Sequence, residues 1–212
     1  MNIGYRNSVK DCKIKKSFLI SVCCLVTAIS LLLSRPAILN AETVKLMYKD
    51  KKFPVEITFP HDVATVIKPI HQVIPLTDSI SLDYYAFLAQ DNTSVQIYGV
   101  SVTSYPNSMG KINRQLAQDM LSQSLLVQIN TFNTAYKTES RQLEVSEAHF
   151  AGYPSKYIAL KRDMDPNTFS CYRGVFFNRL MITAWSTGLD IQKSRKLATE
   201  FVKSLKLDNG NK

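Results

Sequence analysis

Two pairs of strand-like segments, each pair joined by a short turn, constrain the fold of this chain more than any other feature. SLDYYAFLAQ and SVQIYGVSVTSY flank a turn at Asp91-Asn92, and TFSCYRGVFF and LMITAWS flank a turn at Asn178-Arg179. Tyr, Phe, Val and Ile dominate all four segments, and these residues favour strands, whereas Asn and Asp favour tight turns. The pattern predicts two antiparallel hairpins.

The other strand-like segments also occur in pairs. TVKLMY and FPVEITFP are separated by KDKK, and the alternating, polar segment KTESRQLEVSEAHF precedes SKYIALKR. The second of these pairs begins with a half-exposed or edge strand, because polar residues alternate along it. Residues 60–79 contain three prolines and no clear period, which predicts an irregular connection.

Two segments have a helical period instead. Apolar side chains recur on one side of residues 111–129, and a second helix follows Asp190, a candidate N-cap. Hairpins dominate and no strand–helix–strand alternation is present. The sequence therefore predicts an α+β fold, with a mainly antiparallel sheet flanked by helices.

An apolar run without charged residues, Phe18 to Leu33, follows a basic segment near the start of the chain. As a helix it would span about 24 Å, less than the hydrocarbon core of about 30 Å. Basic, apolar and small residues in this order are typical of a secretory signal peptide. We predict a signal peptide over residues 1–41, cleaved between Ala41 and Glu42, with a cut after Ser30 as an alternative.

This segment determines the expected compartment. A cleaved signal predicts a periplasmic or extracellular protein, and an uncleaved one predicts a protein anchored in the inner membrane. The remaining residues, 42–212, have a length suited to a single domain.

Removing the signal also changes the charge and the cysteine content. The full chain has a net charge of +9, but residues 42–212 carry 20 basic and 16 acidic residues, hence +4. No basic run with interleaved aromatic residues is present there, so a nucleic-acid partner is not expected. We predict a solvated turn between strands at Lys49, Lys51 and Lys52.

Once the signal is removed, Cys171 is the single cysteine of residues 42–212, which excludes an internal disulfide. Its apolar neighbours indicate a buried core thiol.

Sequence motifs for catalysis or metal binding are absent. The three histidines, His61, His71 and His149, are dispersed, and no HExxH, CxxC, GxSxG or GxGxxG motif occurs. We therefore predict no catalytic residue, no cofactor and no metal site. A hydrolase would require a serine or Cys171 within hydrogen-bond reach of a histidine.

A set of aromatic residues provides the main alternative to a plain core. At strand spacing such residues are usually core, but together they could also line a groove for a small apolar ligand. The set is Tyr84, Tyr85, Phe87, Phe176, Phe177 and Trp185.

Several stretches together resemble the Mog1/PsbP-like superfamily, which includes secreted bacterial proteins. They are FPVEITFP, the hairpin end SVTSYP, the helix at 111–129, FAGYPSKYIAL, FFNRLMITAWS and the closing ATEFVKSLKL. The resemblance covers residues 53–207 and implies an α-β-α sandwich around an antiparallel sheet. It also implies a non-enzymatic role in binding or assembly, and it supplies no catalytic residue.

The expected function follows from the signal segment, the resemblance and the missing catalytic motifs. We expect an exported, non-enzymatic protein that binds or helps assemble an envelope or secreted protein partner. It would meet the membrane only transiently, through the signal segment. The alternatives are a carrier of a small apolar ligand or lipid and, third, a hydrolase.

Overall fold

The computed structural model describes residues 43–60, 65–91 and 95–208, and these ranges contain ten strands and two α-helices. The helices are α1 (Arg114–Ala135) and α2 (Gln192–Lys203). The strands are β1 (Thr43–Tyr48), β2 (Lys51–Thr58), β3 (Thr65–Thr77), β4 (Ile80–Asp91), β5 (Gln96–Ser104), β6 (Ser140–Phe150), β7 (Tyr153–Arg162), β8 (Thr168–Phe177), β9 (Leu180–Leu189) and β10 (Lys206–Leu207). The predicted α+β class is confirmed.

The strands form two sheets in which all neighbours are antiparallel. The larger sheet has seven strands in the order β3-β4-β5-β9-β8-β7-β6, and the smaller has the order β1-β2-β10. β3 and β6 are therefore the two edges of the larger sheet. β5, β9 and β8 are central, and each carries buried residues on both faces, as strands covered on both sides do.

The two faces of the seven-stranded sheet are covered by different elements. On one face, α2 and the small sheet enclose the main core, in which Phe53 contacts Phe87 and Phe59 contacts Phe201. On the other face, α1 packs on β7 and β8, with Leu125 among the buried residues there. This is the layered arrangement that the resemblance implies.

The turn at Asn178-Arg179 joins β8 to β9 as predicted. Both residues have positive φ, 43° and 65°, as a two-residue hairpin turn requires. Arg179 also holds the connection that leads to α1. Its Nε donates to the carbonyl of Tyr105 at 3.1 Å, its Nη1 to that of Gly110 at 2.8 Å, and its Nη2 to that of Pro106.

The helix predicted at 111–129 is present, although its bounds are shifted toward the C-terminus. Asn113 is the N-cap, because its side chain accepts a hydrogen bond of 2.8 Å from the backbone N–H of Leu116. The helix then continues to Ala135, so that Ile129 and Thr131 are also buried against the sheet.

The prediction of an irregular connection at 60–79 is wrong, because β3 occupies most of this range. An edge strand tolerates proline at positions whose N–H would face solvent. The register of β3 against β4 shifts between Ile67 and Ile70 and again between Pro75 and Thr77, beside both prolines of the strand. These irregularities conceal the strand period in the sequence.

The predicted N-cap at Asp190 is also wrong. Ile191 precedes the first turn of α2, and no side chain caps it. The Asp190 carboxylate instead pairs with Nε of Arg195 and lies 3.7 Å from Nζ of Lys161. The hydrogen bond from Arg195 contributes most to lowering the pKa of Asp190.

The predicted signal peptide, with its cleavage site at Ala41 and Glu42, lies outside the described residues, as does His61. Within the described ranges, neither helix is long and apolar enough to cross a membrane.

Candidate functional site

Five side chains from β1 to β4 form a cluster at the β3 edge of the large sheet. We define the aromatic–basic cluster as Tyr48, Lys51, His71, Asp83 and Tyr85. Tyr48 ends β1 and Lys51 begins β2, whereas His71 lies on β3 and the other two lie on β4. The cluster therefore joins the small sheet to the edge of the large one.

His71 lies at the centre of the aromatic–basic cluster. Its Nε2 is 3.0 Å from Oδ1 of Asp83, and its ring stacks on that of Tyr85 at 4.5 Å and an angle of 14°. The ring of Tyr48 is 5.3 Å from both rings. The imidazole is thus held between two tyrosines with one nitrogen at a carboxylate, which restricts its rotation.

Lys51, which follows the turn between β1 and β2, contacts the ring of Tyr85. Its Nζ donates to the hydroxyl of Tyr85 at 3.1 Å and lies 4.6 Å from the centre of the Tyr85 ring. Lys49, which has a positive φ of 53° in the turn, places its Nζ 5.6 Å from the centre of the Tyr48 ring. Cation–π contacts of this kind contribute about 0.5–1 kcal/mol at exposed sites.

Packing of the hairpin on the large sheet positions these groups. Phe53 is buried, and its ring contacts Tyr85 at 4.8 Å and Phe87 at 5.8 Å. Because side chains alternate along a strand, burying Phe53 brings Lys51 to the same side of β2, above Tyr85. Lys51 is exposed beside the turn, as predicted, and it also begins β2 and contacts Tyr85.

The outer side of the aromatic–basic cluster faces solvent. The side chains of His71 and Asp83 are 28% and 45% exposed, and Val73, the neighbour of Asp83 on β3, is 60% exposed. The half-buried rings of Tyr48 and His71, a short apolar side chain and both signs of charge thus lie together, above the buried ring of Tyr85. Tyrosine and partly exposed apolar groups of this kind are enriched in protein–protein interfaces.

The two histidines within the described ranges, His71 and His149, are not brought together. His71 belongs to the aromatic–basic cluster, whereas His149 lies at the far edge of the large sheet, opposite Pro154. In the ranges that the structure describes, no group of three or more His, Cys, Asp and Glu side chains is placed to hold a metal ion.

Cys171 is a core residue, as predicted. It is fully buried on β8 and belongs to the main core with Tyr157 and Ala159. Burial raises the pKa of the thiol above its usual range, so the group stays protonated at neutral pH. Within the described ranges, the imidazole of His71 is hydrogen-bonded to Asp83 and not to Cys171.

The six aromatic residues considered for a ligand groove do not line one surface. Tyr85, Phe87 and Phe177 belong to the main core, whereas Phe176 and Trp185 pack in the clusters beneath α1. The large sheet separates the two groups. Burial raises the pKa of Tyr84 to about 12, so its hydroxyl remains neutral.

A buried arginine is the polar feature that the sequence did not reveal. Arg162 is 0% exposed at the end of β7, and its Nε donates to Oδ1 of Asn133 at 2.8 Å. Nη1 donates to Oγ of Ser170, and Nη2 donates to the hydroxyl of Tyr172 at 3.2 Å. The sequence ALKRDMD has the appearance of a solvated strand end, and no local signal distinguishes Arg162 from Lys161.

Known proteins are similar to this chain in structure and not detectably in sequence. No protein-family model matches it, and no curated protein is detectably similar to it in sequence. The solution structure of cyanobacterial PsbP (CyanoP) from Synechocystis sp. PCC 6803 is similar to it with a TM-score of 0.50 and 13% identity, over 84% of this chain and 99% of that one.

Two other solved structures overlap more loosely. LpqN, involved in cell envelope biogenesis of Mycobacterium tuberculosis, has a TM-score of 0.39 and 10% identity, over 78% of this chain and 90% of that one. PA94 from Pseudomonas aeruginosa, a protein of unknown function described as a putative regulator, has a TM-score of 0.30 and 6% identity, over 70% of this chain and 84% of that one. Such overlaps define no common fold. The full-length match to cyanobacterial PsbP does, and the chain therefore has the PsbP-like fold that its sequence resemblance implied.

Proposed function

We propose that this chain is an exported, non-enzymatic protein that binds a protein partner of the cell envelope or the exterior. The observation that carries the proposal is the aromatic–basic cluster with its exposed neighbour Val73. Protein interfaces characteristically combine tyrosine rings, an apolar centre and flanking charges. The PsbP-like fold itself is compatible with many functions, so the proposal rests on this surface.

The side chains of the aromatic–basic cluster are already ordered, so binding a partner would cost little conformational entropy. His71 and Tyr85 are stacked and tied to Asp83 and Lys51, so their side chains lose little rotational freedom when a partner binds. Val73 then offers an apolar contact beside them. A partner with an apolar side chain at this point and a charged group facing Asp83 would fit the surface.

We expect a photo-crosslinking amino acid at Val73 to capture one discrete envelope or secreted protein in cells. Mass spectrometry of the adduct identifies the partner. The matched control places the same group at Leu126 of α1, which is also exposed but lies on the other face of the large sheet. In the protein without the crosslinker, Val73→Asp should lower the affinity for the captured partner by about tenfold, because it places a second carboxylate beside Asp83.

The same adduct at both positions, or none at Val73, would contradict this assignment. Catalytic turnover by the purified protein would contradict the non-enzymatic part of the proposal independently.

If the protein is exported and its signal peptide is cleaved, the mature chain should begin at a specific residue. The N-terminal residue of the protein recovered from the periplasm or the medium should be Glu42, because the segment before it has the order of a signal peptide. N-terminal sequencing of the recovered protein makes the measurement. An intact Met1 in the membrane fraction would favour the anchored alternative instead.

A further inference from the structure

The second edge of the large sheet, β6, is open along its length. It is the last strand in the sheet order, and every residue from Arg141 to His149 is exposed. The backbone N–H and C=O groups on the outer side of an edge strand have no partner in the sheet and can pair with another strand.

The two edges of the sheet differ in how they are protected. β3 contains Pro69 and Pro75, which remove two backbone donors, whereas β6 contains no proline. Apolar side chains are exposed along β6: Leu143 is 42% exposed and Val145 is 45% exposed. Leu126 of α1 is 52% exposed near the β6–β7 side of the sheet, since Ser122 and Asn133 on either side of it contact Lys156 of β7 and Ser140 of β6.

An irregularity in β6 brings two opposite charges to one face. Arg141 pairs with Lys161 and Glu144 pairs with Ala159, and the register shifts between them by one extra residue. Lys161 and Ala159 are two positions apart on β7 and hence on one face, so Arg141 and Glu144 share that face. Within the described ranges neither residue has an ion-pair partner.

We propose that β6 pairs antiparallel with β6 of a second copy, about a two-fold axis between Gln142 and Leu143. In this register Arg141 of each chain lies directly opposite Glu144 of the other, which gives two reciprocal ion pairs. The two copies of Leu143 then lie next to the axis and cover each other. This dimer uses the edge opposite the aromatic–basic cluster and does not depend on the proposed function.

The charges also disfavour one alternative register. Moving the axis to Glu144 would place the two Glu144 side chains against each other, and like charges directly opposite are destabilising. The overlap extends from Ser140 to Val145 and is short, so the dimer should be weak, reversible and sensitive to salt.

Sedimentation of the exported protein at low ionic strength, from micromolar to millimolar concentration, tests the proposal. The wild type should show a reversible monomer–dimer equilibrium that weakens as salt is added. Arg141→Glu and Glu144→Arg should each raise the dissociation constant by about tenfold or more. An equimolar mixture of these two variants should form a heterodimer, and the double variant R141E/E144R should dimerise like the wild type, because both restore opposite charges across the axis.

Lys193→Glu, a charge reversal at an exposed position of α2, is the matched control and should leave the equilibrium unchanged. Circular dichroism should show that all variants fold, since both β6 side chains are exposed. A wild type that is monomeric at every concentration would overturn the proposal. So would single variants that dimerise normally, or a mixture that fails to associate while the wild type does.

Discussion

Arg162→Ala is expected to lower the free energy of unfolding by about 3–5 kcal/mol. Arg162 is fully buried, and its guanidinium donates to Asn133, Ser170 and Tyr172. The ring of Phe132 lies 4.0 Å from its central carbon. Alanine would leave a void the size of most of the side chain and remove three hydrogen bonds at once.

The three partners would not be affected equally. Ser170 retains a hydrogen bond with Thr187, and Asn133 retains its bond of 2.9 Å to Ser140. The hydroxyl of Tyr172 has no second hydrogen bond among those found in the described ranges, and a buried unsatisfied group costs about 1–3 kcal/mol. The void accounts for the rest of the expected loss.

Urea unfolding followed by circular dichroism measures the effect. Arg162→Met fills most of the space without the hydrogen bonds, so its loss should be clearly smaller than that of Arg162→Ala. Arg114→Ala is the matched control, because Arg114 is exposed at the start of α1, and it should change stability by no more than about 0.5 kcal/mol. A loss below about 1 kcal/mol for Arg162→Ala would show that the buried network contributes little.

Gly99→Val is expected to destabilise the protein by about 2–3 kcal/mol. Gly99 lies on the central strand β5 directly opposite Trp185 of β9. A Cβ at position 99 would lie 2.6 Å from Nε1 of Trp185 and closer still to Cε2 and Cζ2 of the indole. The indole therefore occupies the volume of the missing side chain, and any larger residue must displace it.

The double variant Gly99→Val/Trp185→Ala separates this clash from a general cost of substitution. Removing the indole frees the space, so the double variant should be less destabilised than the sum of the two single variants by about 1 kcal/mol or more. Ser81→Val on the exposed part of β4 is the control for adding valine to a strand. Additive losses would show that the indole moves aside without cost.

Trp185 is the single tryptophan of the chain, so its fluorescence reports directly whether the indole is displaced by a side chain at position 99. Its side chain is partly buried against the cluster of Leu125 and Tyr172. Displacement by valine at position 99 should shift its emission to longer wavelength, because the ring would become more exposed to water.

The two edges of the large sheet have separate proposed roles. The β3 edge carries the aromatic–basic cluster and the proposed partner surface, and β6 carries the proposed contact between copies. Because five strands separate β3 from β6, loss of the dimer by Arg141→Glu should not affect crosslinking at Val73. The experiments on the two surfaces can therefore fail independently.

Local patterns determined much of the fold. The Asn178-Arg179 turn, the apolar strands around it and the period of the helix at 111–129 each depend on residues close in sequence, and the structure contains all three. Such features are set by backbone preferences and by the alternation of side chains, which act over a few residues.

The errors occurred where contacts between distant segments prevail over local preference. β3 is a strand in spite of its prolines because it lies at an edge and pairs with β4. Asp190 does not cap α2 because Lys161, from another strand, and Arg195 attract its carboxylate. Neither partner is apparent from the residues that surround Asp190 in the sequence.

The candidate sites were the least predictable part. Lys51 and His71 are 20 positions apart, and only the packing of Phe53 on the large sheet brings both to Tyr85. The sequence around Arg162 likewise predicts an ordinary solvated cation, whereas α1 and β8 enclose the side chain in the structure. The sequence by itself determined most of the strands, both helices and the α+β class, because these depend on short-range periodicity. Only the tertiary structure decided which polar groups are buried and which meet at the surface, because burial depends on segments that are distant along the chain.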